Sequence, residues 1–233
     1  MTSDVAQLYS ILIDMDFYHV FNRGVDKRTV VIDESDRLRF LQGLYLYNNA
    51  DHIIRNVSRV TSQSIFQQPR KQLVDIHAFC LMDNHYHLLL SPVDDDPAHI
   101  SAFMRKVNMG YAKYFNEKYD RSGALWQGKY KSILIQKDTH FLYIPHYIHL
   151  NALDTKLPQW REGKIKDVEA ALKILRDYRW SSYRSYLGEN HYKSITNRLE
   201  LTKIIGEPAR QMVEIERIIT QPKKAADSEL LEL

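Results

Sequence analysis

The chain has 233 residues, of which 44% are hydrophobic and 26% charged, a globular balance that excludes wholesale disorder. No apolar run approaches the roughly 18 residues needed to cross a bilayer. Met1-Thr2-Ser3-Asp4 lacks the basic n-region and long apolar stretch of a secretory signal, so export is not expected. Cys80 is the single cysteine, which excludes an internal disulfide and a thiolate metal cluster and points to a reducing, cytoplasmic setting. With 32 Lys and Arg against 29 Asp and Glu, the net charge of +3 is too small for a polybasic binder.

In chain order, Asp16 to Arg23 (DFYHVFNR) alternates moderately and predicts a strand ending at Gly24. After Asp33, Leu38, Leu41, Leu44 and Tyr45 stand at helical spacing, with Asp33 or Ser35 as candidate N-cap. Asp51 to Gln72 is polar, contains Pro69 and reads as an irregular excursion. Val74 to Met82 and Tyr86 to Val93 predict two strands joined by the turn formers Asp83-Asn84. Asp94-Asp95-Asp96-Pro97 suits a helix start, and Ile100, Phe103, Met104, Val107, Tyr111, Tyr114 and Phe115 form the apolar side of that helix. Lys129 to Gln136 predicts a short strand. Lys137 to Asp154 predicts a helix that Pro145 should kink or interrupt. Further helices are expected over Asp167–Tyr178, Arg198–Ile205 and Glu207–Ile219, and the tail KKAADSELLEL should fray. This order predicts an α+β fold, a mostly antiparallel central sheet flanked by helices.

Charge is unevenly spread. Between Ile100 and Lys131 seven basic residues face only Glu117 and Asp120, and Phe103, Tyr111, Tyr114, Phe115, Tyr119, Trp126 and Tyr130 are interleaved with them. Cations that neutralise phosphates beside rings that stack on bases suit single-stranded nucleic acid. A solvated helix face with core aromatics gives the same pattern.

The stretch LMDNHYHLLL holds the densest chemistry. On a strand, residues two apart share a face about 6.6 Å apart, so His85 and His87 can present two imidazoles to one divalent ion while Tyr86 turns away. Leu88 to Leu90 would anchor that strand centrally. In FLYIPHYIHLN, Tyr147 and Asn151 are one helical turn apart, so Asn151 offers a carbonyl oxygen and Tyr147 a phenol on one face. Packing is the ordinary role of such residues, and it suits Tyr143.

LMDNHYHLLL, followed by GALWQGKYKSILI, HYIHLNAL and YRWSSYRSYL and preceded by YHVFNRG, resembles the REP-associated tyrosine transposases. These are IS200-like single-tyrosine transposases within the HUH nucleases, and the similarity runs from about Asp16 to Gly188. The resemblance implies an HUH nuclease, ferredoxin-like domain over residues 1–188, with the histidine pair on a central strand; residues 189–233 would be a helical C-terminal accessory segment. It assigns His85 and His87 to the HUH pair, Tyr147 to the nucleophile and Asn151 to the polar third ligand. Asp83 and Ala152 both stand where relatives usually have Pro.

The activity so implied is a metal-dependent single-stranded DNA endonuclease and strand transferase cutting near hairpins through a 5′-phosphotyrosine. Its cofactor would be Mg²⁺ or Mn²⁺, although the ligand types also suit Zn²⁺ or Co²⁺. The partner would be single-stranded DNA with a REP-like palindromic hairpin, bound by a nucleoid-associated monomer or homodimer, with no membrane. Candidate phosphate contacts are Arg23, Arg105, Lys106, Lys113, Lys129 and Lys131; Trp126 and Tyr130 are candidate stacking rings, with packing as the alternative role. Asp83 or Asp75 is the expected acceptor for the second ring nitrogen of a ligating histidine. His19, His77, His146 and His149 are assigned to structure or DNA contact. Alternative readings are a domesticated, non-cleaving hairpin-binding protein and a metal hydrolase that activates water at the histidine pair.

Overall fold

The computed structural model describes residues 15–51, 69–136 and 138–221. Four antiparallel strands form one sheet in the order β2-β3-β1-β4: β1 Tyr18–Arg23, β2 Val74–Leu81, β3 His85–Pro92 and β4 Lys131–Leu134. The central position of β3 follows from its composition. Leu88 and Leu90 face one layer of helices and Leu89 the other, so the strand is buried on both sides.

The first layer consists of α1 (Glu34–Leu46) and α2 (Ala98–Lys118). Asp33 caps α1 in a reciprocal box with Asp36, whose carboxylate is fully buried and held by Lys118, Tyr114 and Tyr119. Asp96 accepts the Ala98 N–H at 2.9 Å where α2 begins. Of the predicted stripe, Ile100, Phe103, Met104, Val107, Tyr111 and Phe115 form the buried side of that helix and meet Val20, Phe40, Tyr86, Leu88 and Leu90, while Tyr114 is only partly buried. Lys118, one of the seven basic residues between Ile100 and Lys131, is thereby tied to Asp33 and Asp36, both at 2.7 Å.

The second layer is built from α3 (Asp138–Leu150), α4 (Val168–Asp177), α5 (Tyr183–Tyr186), α6 (Leu199–Ile205) and α7 (Pro208–Thr220). Helix α3 runs through Pro145 as one element and continues into a 3₁₀ turn at Asn151–Leu153. Ile144, Ile148 and Leu150 are buried against Ala78, Cys80 and Leu89, which outweighs the one hydrogen bond that proline forfeits. Two short elements, α5 and a 3₁₀ turn at Pro158–Glu162, have no counterpart among the predicted helices. The predicted excursion falls largely on 52–68 and the predicted frayed tail on 223–233, both outside the described residues. Among the described residues no helix is long and apolar enough to cross a membrane.

Candidate active site

β3 begins with the histidine pair. Side-chain alternation sends Tyr86 into the first layer, where its hydroxyl donates to Asn108 Oδ1 at 2.8 Å, and sends His85 and His87 to the opposite face. The two imidazole centroids lie 5.1 Å apart with the rings nearly perpendicular. Burial lowers the pKa of His85 to about 4 and holds that of His87 well below its usual value, so both rings are neutral at pH 7 and able to ligate.

Each ring has a defined partner at Nδ1. His85 Nδ1 donates to Asn84 Oδ1 at 2.6 Å, which leaves its Nε2 with the lone pair. His87 Nδ1 lies 2.9 Å from Nε2 of His19, a fully buried residue on β1 whose own pKa is depressed by burial to about 3. The carboxylates expected in this role are elsewhere: Asp83 pairs with Arg37, and Asp75 accepts from Gln72 and Asn197. His19 opposes Leu89 across the strand pair and reaches His87 on the diagonal.

Helix α3 lies over this face and brings Tyr147 to the pair. The phenol ring meets His87 edge-on with centroids 5.7 Å apart, and His19 likewise at 5.9 Å. Only 2% of Tyr147 is exposed, yet it lines one cleft of about 230 Å³ with Arg23, Asn84, His85, His87, Asp154 and Arg161. Its ring also meets those of Tyr143 and Trp160, each with centroids 6.0 Å away, and its inner side belongs to the apolar cluster of the second layer.

Asn151 is arranged differently from the expectation. It is fully buried and does not line the cleft; Oδ1 accepts from Arg161 Nη2 at 2.8 Å, and Nδ2 donates to the Tyr147 carbonyl at 2.7 Å. Arg161 occupies one of the two lone pairs of that oxygen, and the side chain stays out of the cleft where the ligand role would put it. Among the described residues no three His, Cys, Asp or Glu side chains are grouped to hold a metal ion. The donor set that does fit a divalent cation is therefore two neutral imidazoles, with Nδ1 of each engaged by a neighbour.

The eight expected DNA-contacting residues divide by position. Arg23 lines the cleft, and Lys131 Nζ stands 5.8 Å from the centroid of Phe21, the ring next to His87. Arg105, Lys129 and Tyr130 converge on a second groove of about 530 Å³ between α2 and the segment entering β4, floored by Ala102 and Met104. Lys106 is bound to the Asn49 carbonyl, and exposed Lys113 pairs with Glu117 at 3.7 Å. Trp126 belongs to the core: it is 7% exposed, packs on Tyr86 and Tyr111, and donates its N–H to the Asn108 carbonyl at 3.1 Å. A ring so placed has no free face for a base, so packing is its role.

Sequence reasoning did not single out Asp154 or Arg161 and assigned Asn84 and His19 no part at the site. Asp154 follows Asn151 by three residues, a spacing that repeats one face of a helix, and this was the one available signal. Arg161 sits on an irregular turn and carried none.

The family model described as "Transposase IS200 like" matches residues 46–151. No curated protein matches the chain. A solved structure described as a REP-associated tyrosine transposase bound to a REP hairpin is 12% identical, with 78% of this chain and 88% of that chain covered and a TM-score of 0.43. The stretch from residue 46 to 151 that matches the IS200-like transposase model holds the histidine pair, Tyr147 and Asn151.

Proposed function

We propose that the protein is a single-stranded DNA endonuclease and strand transferase in which Tyr147 is the nucleophile. One observation carries this reading: within a single chain, the Tyr147 phenol and both imidazoles line the same cleft. His85 and His87 would hold a divalent ion, Mg²⁺ or Mn²⁺, which when bound supplies Lewis-acid polarisation of the scissile phosphate.

The work of the chain's own residues is positional and electrostatic. Tyr147 Oη attacks phosphorus; the Oη–P bond forms, the P–O3′ bond breaks, the phenol proton passes to solvent and the departing 3′-oxygen takes one up. The product is a 5′-phosphotyrosine, whose ester keeps the bond energy so that a later 3′-hydroxyl can displace the tyrosine without a nucleotide cofactor. Burial of the imidazoles keeps them neutral, so the pair does not repel a cation. Arg23 and Lys131 put positive charge beside the cleft, and the groove of Arg105, Lys129 and Tyr130 offers cations and a ring to the flanking strand. The substrate we assign is single-stranded DNA bearing a hairpin, supported by the resemblance of the motifs and the family match.

The test mixes the chain with end-labelled, hairpin-containing single-stranded DNA and Mg²⁺ or Mn²⁺ and resolves the products on a denaturing gel. A protease-sensitive, slowly migrating species is expected, absent in Tyr147→Phe. Hairpin binding without that species in the wild type would favour a non-cleaving binder. Cleavage surviving Tyr147→Phe would favour a hydrolase that activates water.

A further inference from the structure

The 3₁₀ turn at Pro158–Glu162 lies beyond the matched stretch and delivers one arginine to the site. Arg161 Nε donates to Asp154 Oδ1 at 3.0 Å, and Nη2 donates to Asp154 Oδ2 at 2.7 Å and to Asn151 Oδ1 at 2.8 Å. Asp154 is itself held by the indole N–H of fully buried Trp160 at 2.7 Å, and the guanidinium carbon sits 4.8 Å from the Trp160 ring centroid. A two-pronged carboxylate grip with a ring beneath it fixes the plane of the guanidinium.

That clamp leaves Nη1 for the cleft. Nη1 donates to the Tyr147 hydroxyl oxygen at 3.3 Å. A guanidinium has five N–H bonds. Asp154, Asn151 and Tyr147 account for four, so the fifth, also on Nη1, is directed by geometry alone toward whatever enters the cleft that Arg161 lines. An arginine needed only to pair with Asp154 would have no cause to place its outer nitrogen on the one oxygen able to attack phosphorus.

We propose that Arg161 is a catalytic residue: Nη1 holds the Tyr147 oxygen in line by one hydrogen bond and binds a non-bridging oxygen of the scissile phosphate by the other. The proposal rests on Tyr147 being the nucleophile. Arg161 is always protonated, so it cannot take the phenol proton, which leaves to solvent as before. Its contribution is the charge set against the negative charge spread over the phosphoryl oxygens in the transition state. Asn151, expected as a ligand, becomes on this account part of the bracket that aims the guanidinium.

The experiment measures single-turnover formation of the covalent adduct by the full chain on labelled hairpin DNA with Mg²⁺, alongside DNA binding and thermal unfolding. Arg161→Met should bind DNA within a few-fold of wild type and form adduct about 100- to 1000-fold more slowly, the cost of one lost transition-state donor. Arg161→Lys keeps the charge and a bond to Asp154 but cannot make both Nη1 contacts, so it should also be slowed at least tenfold. It provides the test if the methionine variant unfolds. Phosphorothioate at the scissile position adds a readout that a structural role would not move: the rate ratio of the two sulfur diastereomers should shift in Arg161→Lys relative to wild type. Adduct formation at wild-type rate in a folded Arg161 variant, with an unchanged ratio, overturns this proposal and leaves Tyr147 in place. No adduct from the wild type, despite tight binding, removes the nucleophile and this proposal with it.

Discussion

His19 turns two adjacent histidines into an oriented pair. Its Nε2 lies 2.9 Å from Nδ1 of His87, and its ring is near-parallel to that of His87 with centroids 5.1 Å apart. With the proton on His87 Nδ1, the imidazole presents the Nε2 lone pair, and the buried stack of Phe21, His19 and Tyr147 prevents it from turning. Removing such an outer partner typically costs 10- to 100-fold in metal affinity. His19→Leu should therefore weaken Mn²⁺ binding, followed by calorimetry or by the Mn²⁺ paramagnetic resonance signal, by about that factor. His19→Gln, which retains an acceptor near the same place, should recover most of it. Equal affinity in the leucine variant would mean that His87 is aimed by packing alone.

At the scale of elements, the site hangs on how strand ends and helix ends meet. β1 stops at Arg23 because Gly24 turns the chain under its neighbours: its N–H donates to the Asn84 carbonyl at 2.8 Å, and a Cβ there would strike the Arg28 carbonyl and come within 2.7 Å of Val30 Cγ1. Gly24→Ala must push the loop off the turn that carries Asn84 and His85. Overpacking of this kind costs about 1–3 kcal/mol, readable as a lower urea midpoint, and it should slow adduct formation beyond what the stability loss explains. The strands and this turn were legible in the sequence because alternation, Asp83-Asn84 and the leucine run each have one geometric meaning. The HxH spacing likewise placed both imidazoles on one face. What stayed illegible depended on tertiary company. Trp126 sits among cations in sequence and among Tyr86 and Tyr111 in space. Asn151 has the right spacing from Tyr147, yet its oxygen is claimed by an arginine ten residues on. Arg161 lies in LPQWREG, where neither a 3.6-residue nor a two-residue period exists to show which way a side chain points.

The whole molecule is a sheet between two helical layers, and that architecture buries an unusual set of neutral imidazoles away from the cleft. His77 is held between the Asn197 carbonyl at 3.2 Å and Ser91 Oγ at 2.8 Å; His149 meets Ser182 Oγ at 2.8 Å; His146 is buried on the same helix. Burial lowers the pKa of His77 and His146 to about 4 and that of His149 to about 3, against about 6.5 for an unfolded chain. Below pH 6.5 the unfolded state binds protons that the folded state refuses, so stability falls as pH falls. The stabilisation is complete above pH 6.5 and is lost progressively down to the folded values near 4 and 3. Asp36 and Glu214, whose pKa values are lowered, act in the same direction, but only below about pH 4 where carboxylates titrate, so the window from 6.5 to 4 belongs to the histidines. His19, His85 and His87 in the cleft, whose pKa values burial also lowers, act in the same direction, so at least six histidines share the slope. Urea midpoints measured at pH 7, 6 and 5 should fall, and His149→Gln should make the fall shallower. A midpoint that stays level from pH 7 to 5 would mean that these rings accept protons inside the fold, and that water reaches the second layer.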